Sequence, residues 1–216
     1  MTLSEGDSMF VVFEGLDGSG KSTLMRAFKA YLAHIKQDYT EVFDPGGTPI
    51  GDKVRQVLLA KEDIPAIQTE LLLYQASRSE LVFKLIKPAL ALKKWVISDR
   101  YYQSTLAFQG FGRGISIEDI NWLNSYATGG LKPNLVVWVN TPVDVCSERL
   151  QKRKSEGEEL SRLDEEKRAF HQKVYEGYKS LSEQNDPETK WIVLDGTSAP
   201  EALAADLIKT FEEVSV

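Results

Sequence analysis

The chain has 216 residues, of which 42% are hydrophobic and 27% charged, as in an ordinary globular protein with one core. Its net charge of −6 argues against a protein that coats nucleic acid, and no apolar run reaches the roughly 18 residues needed to cross a membrane. The single cysteine, Cys146, excludes an internal disulfide, so we expect a cytoplasmic protein.

In chain order, short apolar segments alternate with helical patterns. After a polar start at 1–8, interpreted as a disordered leader, one domain is expected over 9–216. Strand character is found at 9–14, 39–43, 95–98, 135–139 and 191–194. Helical patterns cover about 21–32, 51–59, 66–87, 143–154, a segment ending near 181, and 200–214, with two more after residue 100. This alternation predicts an α/β fold with a parallel sheet and right-handed crossovers.

The first strand is followed by a glycine-rich motif, in which Gly15 precedes Gly20-Lys21-Ser22 by four residues. Between a strand and a helix, this spacing is typical of a loop whose backbone N–H groups cradle nucleotide phosphates. Lys21 would reach the β and γ phosphates, and the Ser22 hydroxyl would bind Mg²⁺. The alternative is an ordinary glycine-rich turn. The predicted ATP-binding residues are Gly15, Leu16, Asp17, Gly18, Ser19, Gly20, Lys21, Ser22 and Thr23.

The strand at 95–98 ends in Asp99-Arg100. A carboxylate at the end of a neighbouring strand suits the metal of such a nucleotide site, and the adjacent guanidinium suits a phosphate. In the alternative interpretation, Asp99 simply ends a strand.

Arginines at 55, 78, 100, 149, 153 and 162 lie in segments that could face the cleft. Each could instead be a solvated surface arginine. Tyr74 and Arg78 are four residues apart and so share a helix face, where a ring and a guanidinium could hold a flat base. A core tyrosine beside a surface arginine is the alternative. No N-K-x-D motif follows the late strand, which disfavours a signalling GTPase.

The segments FEGLDGSGKST, DPGGTPIG, LLLYQASR, SDRYYQSTLAFQG, GRG and LKPNLVVWVNTP together resemble the bacterial thymidylate kinase family. The resemblance implies a P-loop nucleoside monophosphate kinase fold, with a five-stranded parallel sheet flanked by helices and a short lid at about 150–163. It also implies transfer of the γ-phosphate of ATP to dTMP with Mg²⁺, giving dTDP and ADP in dTTP synthesis, by a homodimer. From the net charge and the lack of a long apolar run, we expect binding to neither nucleic acid nor membrane.

Residue roles follow from the resemblance by position. Asp17 would lie near the sugar 3′-OH and the metal, Tyr74 would stack on thymine, and Arg78 and Thr105 would contact the base edge. The implied dTMP-binding residues are Asp17, Arg55, Tyr74, Arg78, Arg100, Thr105, Phe108 and Gln109, with Arg55 and Arg100 on the acceptor phosphate. The implied catalytic residues are Asp17, Lys21, Arg100, Arg149 and Arg153, because an arginine of the lid would replace one that other branches carry in the loop. The metal ligands would be Ser22, Asp17 and Asp99.

The chain departs from the family pattern at three places. Phe43-Asp44 replaces Arg-Glu before Pro-Gly-Gly, Phe108 replaces a tyrosine whose hydroxyl lies near the sugar, and Ser161 replaces the aspartate before Arg162. The tight Pro-Gly-Gly turn and the resemblance predict a cis peptide bond between Asp44 and Pro45. A kinase for another nucleoside monophosphate or for a nucleoside, and a nucleotide-binding protein without transfer activity, remain alternatives.

Overall fold

The structure is a computed structural model that describes residues 8–184 and 186–215. Residues 1–7 of the predicted leader lie outside the described residues. None of the helices in the described ranges combines the length and the apolar character required to cross a bilayer.

The described residues form one parallel sheet of five strands with the order β2-β3-β1-β4-β5, which confirms the predicted fold class. The strands are β1 (Phe10–Glu14), β2 (Tyr39–Phe43), β3 (Trp95–Asp99), β4 (Leu135–Asn140) and β5 (Lys190–Asp195). Every residue of the central strand β1 is buried, as expected of the apolar run FVVF in a strand covered on both faces, and the burial extends to Glu14 at its end.

Helices connect the strands and cover the sheet. They are α1 (Lys21–His34), α2 (Pro49–Leu59), α3 (Ile67–Leu81), α4 (Lys87–Ala91), α5 (Tyr102–Thr105), α6 (Ile117–Thr128), α7 (Val143–Ser155), α8 (Arg168–Ser182) and α9 (Pro200–Ser215). One face of the sheet packs on α1 and α9, with Phe28 and Phe211 in contact at 5.1 Å between ring centroids. The opposite face packs on the end of α3 and on α4. The inner strands β1, β3 and β4 are therefore buried on both faces.

The helix predicted over 66–87 is confirmed as α3 up to Leu81, but it does not continue to residue 87 as a regular α-helix. After α3 the backbone forms a π-helical turn, Val82–Ile86, and α4 follows with Pro88 in its first turn. Proline lacks an N–H and its ring crowds the carbonyl four residues earlier, so the wider turn relieves that crowding. A second π-helical segment, Leu106–Gly112, carries Phe108 and Gln109 and was not predicted.

The cleft lies at the carboxyl ends of β1, β2 and β3, which are neighbours in the sheet. β1 leads into the glycine-rich loop, and β3 beside it ends at Asp99, paired in register with Phe13. β2 leads into Asp44–Pro45, whose peptide bond is cis, as predicted. The three segments expected to bind phosphate groups therefore meet at one edge of the sheet.

Candidate active site

The glycine-rich loop joins β1 to α1 and depends on backbone conformations that only glycine adopts readily. Gly15, Gly18 and Gly20 have φ angles of 148°, 81° and 104°. A Cβ at Gly18 would also lie 2.6 Å from the carbonyl oxygen of Cys146. The loop ends where α1 begins at Lys21, so the positive end of the helix dipole points toward the cleft.

Arg149 holds this loop from the side of α7. Its Nη1 donates to the carbonyl oxygens of Gly18 and Ser19, at 3.2 and 3.1 Å, and its Nη2 donates to that of Gly196, at 3.0 Å. Ser19 O also accepts from the Thr141 hydroxyl at 3.0 Å. The interpretation of Arg149 as a solvated surface residue is therefore wrong, because its guanidinium joins α7, the loop and the segment after β5.

Lys21 is buried at the start of α1 and forms an ion pair with Asp99 at the end of β3. Ser22 and Thr23 lie exposed on the first turn of α1. Among the described residues, no group of three or more His, Cys, Asp or Glu side chains converges as a metal site would. A metal here would therefore depend on phosphate and water oxygens besides the predicted Ser22, Asp17 and Asp99.

A cavity of about 170 Å³ opens beside the loop. Its walls are formed by the glycine-rich loop, the turn after β2, helices α2 and α3, the π-helical segment Leu106–Gly112 and residues 161–164. It is lined by Asp17, Asp44, Pro45, Arg55, Leu59, Tyr74, Arg78, Arg100, Ser104, Thr105, Phe108, Gln109, Ser161, Leu163 and Asp164. Every side chain expected to bind the acceptor nucleotide thus lines one cavity.

Arg78 is 1% exposed, so the alternative of a surface arginine at this position is wrong. Its Nε donates to Asp44 Oδ2 at 2.6 Å, and its Nη1 donates to Asn124 Oδ1 at 3.0 Å and to Gln75 Oε1 at 3.3 Å. Its Nη2 donates to Thr105 Oγ1 at 2.8 Å and to the carbonyl of Tyr101 at 3.4 Å. These bonds engage the five N–H groups of a guanidinium.

Arg100 follows β3 with a left-handed backbone, φ 70°, which turns its side chain back into the cleft. Its Nη2 donates to Asp17 Oδ1 at 3.0 Å, and its Nη1 donates to Ser104 Oγ at 3.2 Å and to the Tyr178 hydroxyl at 3.1 Å. The guanidinium also lies 5.2 Å from the ring centre of Phe108. Arg100 therefore connects the nucleotide loop with the acceptor cavity.

Arg55 reaches the cavity from α2. Its Nη1 donates to the carbonyl oxygen of Pro45 at 2.8 Å, and its guanidinium lies 5.5 Å from the ring centre of Phe43. Arg55 and Arg100 both line the cavity, so two cations are available to one anionic group.

The segment 156–167, here called the lid, joins α7 to α8 and places Ser161, Leu163 and Asp164 over the cavity. The predicted lid, at about 150–163, overlaps both the end of α7, which runs to Ser155, and the first part of this segment. Arg153 pairs with Glu158 at 3.1 Å, with 42% of its side chain exposed.

Asp17 and Asp164 form a pair of interacting carboxyl groups between the loop and the lid. Burial opposes the change, but the positive charges of Arg100 and then Lys21 lower the pKa of Asp17 to about 2. Burial and the charge of Asp17 raise the pKa of Asp164. Asp164 Oδ1 is buried and has no hydrogen-bond partner among the described residues. An oxygen in that state, in a carboxyl group that interacts with a second carboxylate, could bind a cation or hold a proton.

Glu14 was missed in the sequence analysis, although it is a charged residue at the end of a fully buried strand. It is 0% exposed, and its Oε1 accepts from the backbone N–H groups of Tyr101 and Ser104, at 3.0 and 3.1 Å. Its Oε2 accepts from the hydroxyls of Ser104 at 2.6 Å and Tyr178 at 2.8 Å. Burial raises the pKa of Glu14, against the charge of Arg100. Glu14 thus fixes the backbone and the hydroxyls that hold Arg100.

Comparisons with known proteins agree with this geometry. A family model described as thymidylate kinase matches residues 13–207. The chain belongs to the thymidylate kinase family. A thymidylate kinase of Bdellovibrio bacteriovorus is 43% identical over 209 residues, covering 96% of this chain and 97% of that protein. One from Kosmotoga olearia is 40% identical, covering 94% of this chain and 95% of that protein. The crystal structure of thymidylate kinase from Ehrlichia chaffeensis matches with a TM-score of 0.76 at 29% identity, covering 95% of this chain and 99% of that chain.

The departures from the thymidylate kinase pattern have structural partners in this chain. Asp44 meets Arg78, and Phe108 packs edge-on against Phe170 and Tyr178, with centroids 6.1 and 6.3 Å apart. Ser161 donates from its N–H and its hydroxyl to Asp164 Oδ2, at 2.8 and 2.7 Å. The serine therefore caps the turn that begins at 161 and places Asp164 beside the loop.

Proposed function

We propose that this member of the thymidylate kinase family transfers the γ-phosphate of ATP to dTMP, giving dTDP and ADP in dTTP synthesis. The observation that supports this most is that Arg100 lies between the nucleotide loop and the acceptor cavity. It contacts Asp17 of the nucleotide loop and, with Arg55, lines the acceptor cavity. An acceptor phosphate bound by these two arginines would lie next to a γ-phosphate bound by Lys21.

The donor site consists of the residues from Gly15 to Thr23. Backbone N–H groups of the loop and the first turn of α1 would hold the phosphates, and Lys21 would move from Asp99 to the β and γ phosphates. Arg149 keeps the loop in shape through its carbonyl oxygens.

The acceptor site uses one aromatic ring and a polar wall. Tyr74 would stack on the thymine, and Thr105 and Gln109 would contact polar atoms of the nucleoside. Arg78 can reach the base edge by giving up its longest bond, the 3.4 Å contact with Tyr101 O. Burial raises the pKa of Tyr74 far above its ordinary value, so the ring stays neutral and keeps its hydroxyl proton.

The reaction requires no general base. The second pKa of a phosphate monoester is about 6, so the acceptor is mostly dianionic at neutral pH. The main difficulty is repulsion between two anions, and Lys21, Arg55 and Arg100 offset it. We assign the additional positive charge at the transition state to the α7–lid region. Because Arg149 is bonded to carbonyl oxygens of the loop, whereas Arg153 is partly exposed and pairs with Glu158, Arg153 is the freer of the two arginines to supply it.

Mg²⁺ fits the oxygen donors near the phosphates. Ser22, Asp17 and Asp99 offer a hydroxyl and two carboxylates, and Mg²⁺ commonly binds through one or two carboxylates together with phosphate oxygens and waters. Asp164 can contribute as well, since it interacts with Asp17 and has one oxygen without a hydrogen-bond partner among the described residues. When bound, the metal would supply charge neutralisation on the phosphates.

We infer a homodimer in the cytoplasm. On α6, Trp122 and Tyr126 are 66% and 78% exposed and stack with centroids 5.9 Å apart, which is an unusual surface for a monomer. Cys146 is a buried free thiol, which agrees with a reducing compartment. Sedimentation at micromolar concentration tests the dimer, and Trp122→Glu should dissociate it.

A panel of acceptors tests the proposed reaction. ADP release is measured with ATP, Mg²⁺ and one acceptor at a time: dTMP, dUMP, dCMP, AMP, GMP or thymidine. We expect the highest kcat/KM with dTMP and a slower rate with dUMP. A higher value with any other monophosphate, or with thymidine, would contradict the proposal.

A further inference from the structure

Glu70, in the first turn of α3, is a buried carboxylate that connects separate parts of the acceptor site. It is 2% exposed. Its Oε1 accepts from Gln109 Nε2 at 2.8 Å, on the π-helical segment. Its Oε2 accepts from Arg162 Nη2 at 2.6 Å, in the lid. One carboxylate thus binds both a wall residue of the acceptor cavity and the lid.

Arg113 completes the charge balance around Glu70. Its Nε and Nη2 lie 3.3 and 3.5 Å from the two oxygens of Glu70, and its Nη1 lies 2.6 Å from Glu166 Oε1 at the end of the lid. The guanidinium also lies 4.5 Å from the ring centre of Phe170. Burial acts to raise the pKa of Glu70, but the bonds from Gln109 and Arg162 and the charge of Arg113 lower it overall. Glu70 is therefore ionised near neutral pH.

The contact with Arg162 sets the position of the lid over the acceptor. Arg162 also donates to the carbonyl oxygen of Leu58, at 3.0 Å, at the end of α2. The next residue, Leu163, packs in one buried cluster with Leu58 and Tyr74, the ring expected to stack on the base. When Arg162 is bonded to Glu70, Leu163 is consequently held against this wall of the cavity.

Most other ion pairs of the lid are exposed, but the pair between Arg113 and Glu166 is partly buried, with 14% and 25% of the side chains exposed. Lys61 and Lys154 each lie 3.3 Å from Glu165, with 43% and 60% of their side chains accessible, and Arg153 meets Glu158 in a similar setting. Exposed pairs contribute little, whereas removing one partner of a buried pair leaves an uncompensated charge. The pair between Glu70 and Arg162 is the most buried of these, with 2% and 8% of the side chains exposed, so it should contribute most to holding the lid closed.

We propose that Glu70 is a positioning residue that docks the lid through Arg162 and orients Gln109 in the acceptor cavity with the same carboxylate. Filling the cavity and closing the lid are then linked, because both depend on this one group. The inference rests on the proposed phosphoryl transfer for its kinetic consequence, but not for the docking itself.

The test compares wild type, Glu70→Gln, Arg162→Gln, the double variant and the control Glu80→Gln. Glu80 lies on the same helix and forms none of the ion pairs found among the described residues. Hydrogen exchange of the lid amides is measured without substrates. Steady-state assays with dTMP give kcat, KM and the fraction of ADP formed without dTDP, which reports water reaching the site.

We expect the lid amides to exchange at least about tenfold faster in Glu70→Gln and in Arg162→Gln than in wild type. In the double variant they should exchange no faster than in the more affected single variant, because both substitutions break the same contact. Both single variants should form more ADP without dTDP, and Glu70→Gln should also raise KM for dTMP. Glu80→Gln should resemble wild type. If lid exchange in Glu70→Gln equals that of Glu80→Gln, or if the two effects add, the proposal is wrong.

Two controls keep these outcomes separate. If Glu70→Gln does not fold, Arg162→Gln carries the exchange test, because it alters a segment outside the helices and strands. If wild type does not phosphorylate dTMP at all, the proposed function fails. The exchange comparison then still decides the role of Glu70.

Discussion

Replacing Asp44 by asparagine should destabilise the protein strongly, although it only exchanges one carboxylate oxygen for an amide NH₂ group. Asp44 Oδ2 lies 2.6 Å from Arg78 Nε, and the two side chains are 0% and 1% exposed. The variant keeps the shape of the side chain but leaves the Arg78 cation buried without its carboxylate. Breaking a buried pair in this way costs about 3–5 kcal/mol of unfolding free energy.

That loss converts to a thermal shift. For a chain of this size, each kcal/mol lowers Tm by about 2–4 °C, so Asp44→Asn should melt about 6–20 °C below wild type. Thermal unfolding followed by circular dichroism measures the shift, at one fixed protein concentration because a dimer melts in a concentration-dependent way.

A matched control separates burial from charge. Asp144 lies 2.7 Å from Arg168, in a similar ion pair, but the two side chains are 66% and 63% exposed. Asp144→Asn removes the same charge from a solvated pair, so its Tm should stay close to that of wild type. If Asp44→Asn melts within error of Asp144→Asn, then the buried pair does not stabilise the fold and the reasoning is refuted.

Four further predictions concern activity and pH. Lys21→Ala should keep its far-UV spectrum and lose more than about nine-tenths of turnover; a higher residual rate would show that the loop does not drive the reaction. dUMP, which lacks one methyl group of dTMP, should be a real substrate, with kcat/KM reduced by about 10- to 200-fold at most. Larger discrimination would mean that the pocket does more than fill the space of a methyl group. Arg153→Ala should lower kcat far more than it raises KM for dTMP, whereas Arg149→Ala should mainly raise KM for ATP because it loosens the loop; a double variant with near-normal kcat would remove both from the mechanism. The pKa of Glu70 is lowered in the folded state, so its stabilisation should be complete above its ordinary pKa of 4.5 and disappear as pH falls below that value. Urea unfolding of wild type and Glu70→Gln should therefore converge at acid pH, and a difference that grew there would contradict this sign.

The features that depend on local sequence were predictable. The apolar run of β1, the spacing of Gly15, Gly20 and Lys21, and the turn at Pro45 each determine their structure within a few residues. The π-helical turn before Pro88 was not predicted, because helical periodicity alone does not show how the backbone relieves the proline ring.

The contacts that complete the site depend on residues far apart in sequence. The sequence around Arg78 does not indicate that this residue is buried, because its ion-pair partner Asp44 lies 34 residues away. Glu70 and Arg162 are separated by 92 residues, and Glu14 and Tyr178 by 164. An acidic residue in an otherwise apolar strand was the available signal for Glu14. For Glu70 the sequence offers no comparable signal, because a glutamate in a first helical turn is common on protein surfaces.

A competition assay tests the central claim most directly. The protein is incubated with limiting ATP, Mg²⁺ and an equimolar mixture of dTMP, dUMP, dCMP and GMP, and the diphosphates formed from the acceptors are separated from ADP and quantified. Because all acceptors compete for one enzyme, the product ratios equal the ratios of kcat/KM. We predict that dTDP forms first and in excess over every other diphosphate, with dUDP next. An excess of any other diphosphate, or ADP without an equal amount of new acceptor diphosphates, would contradict the account.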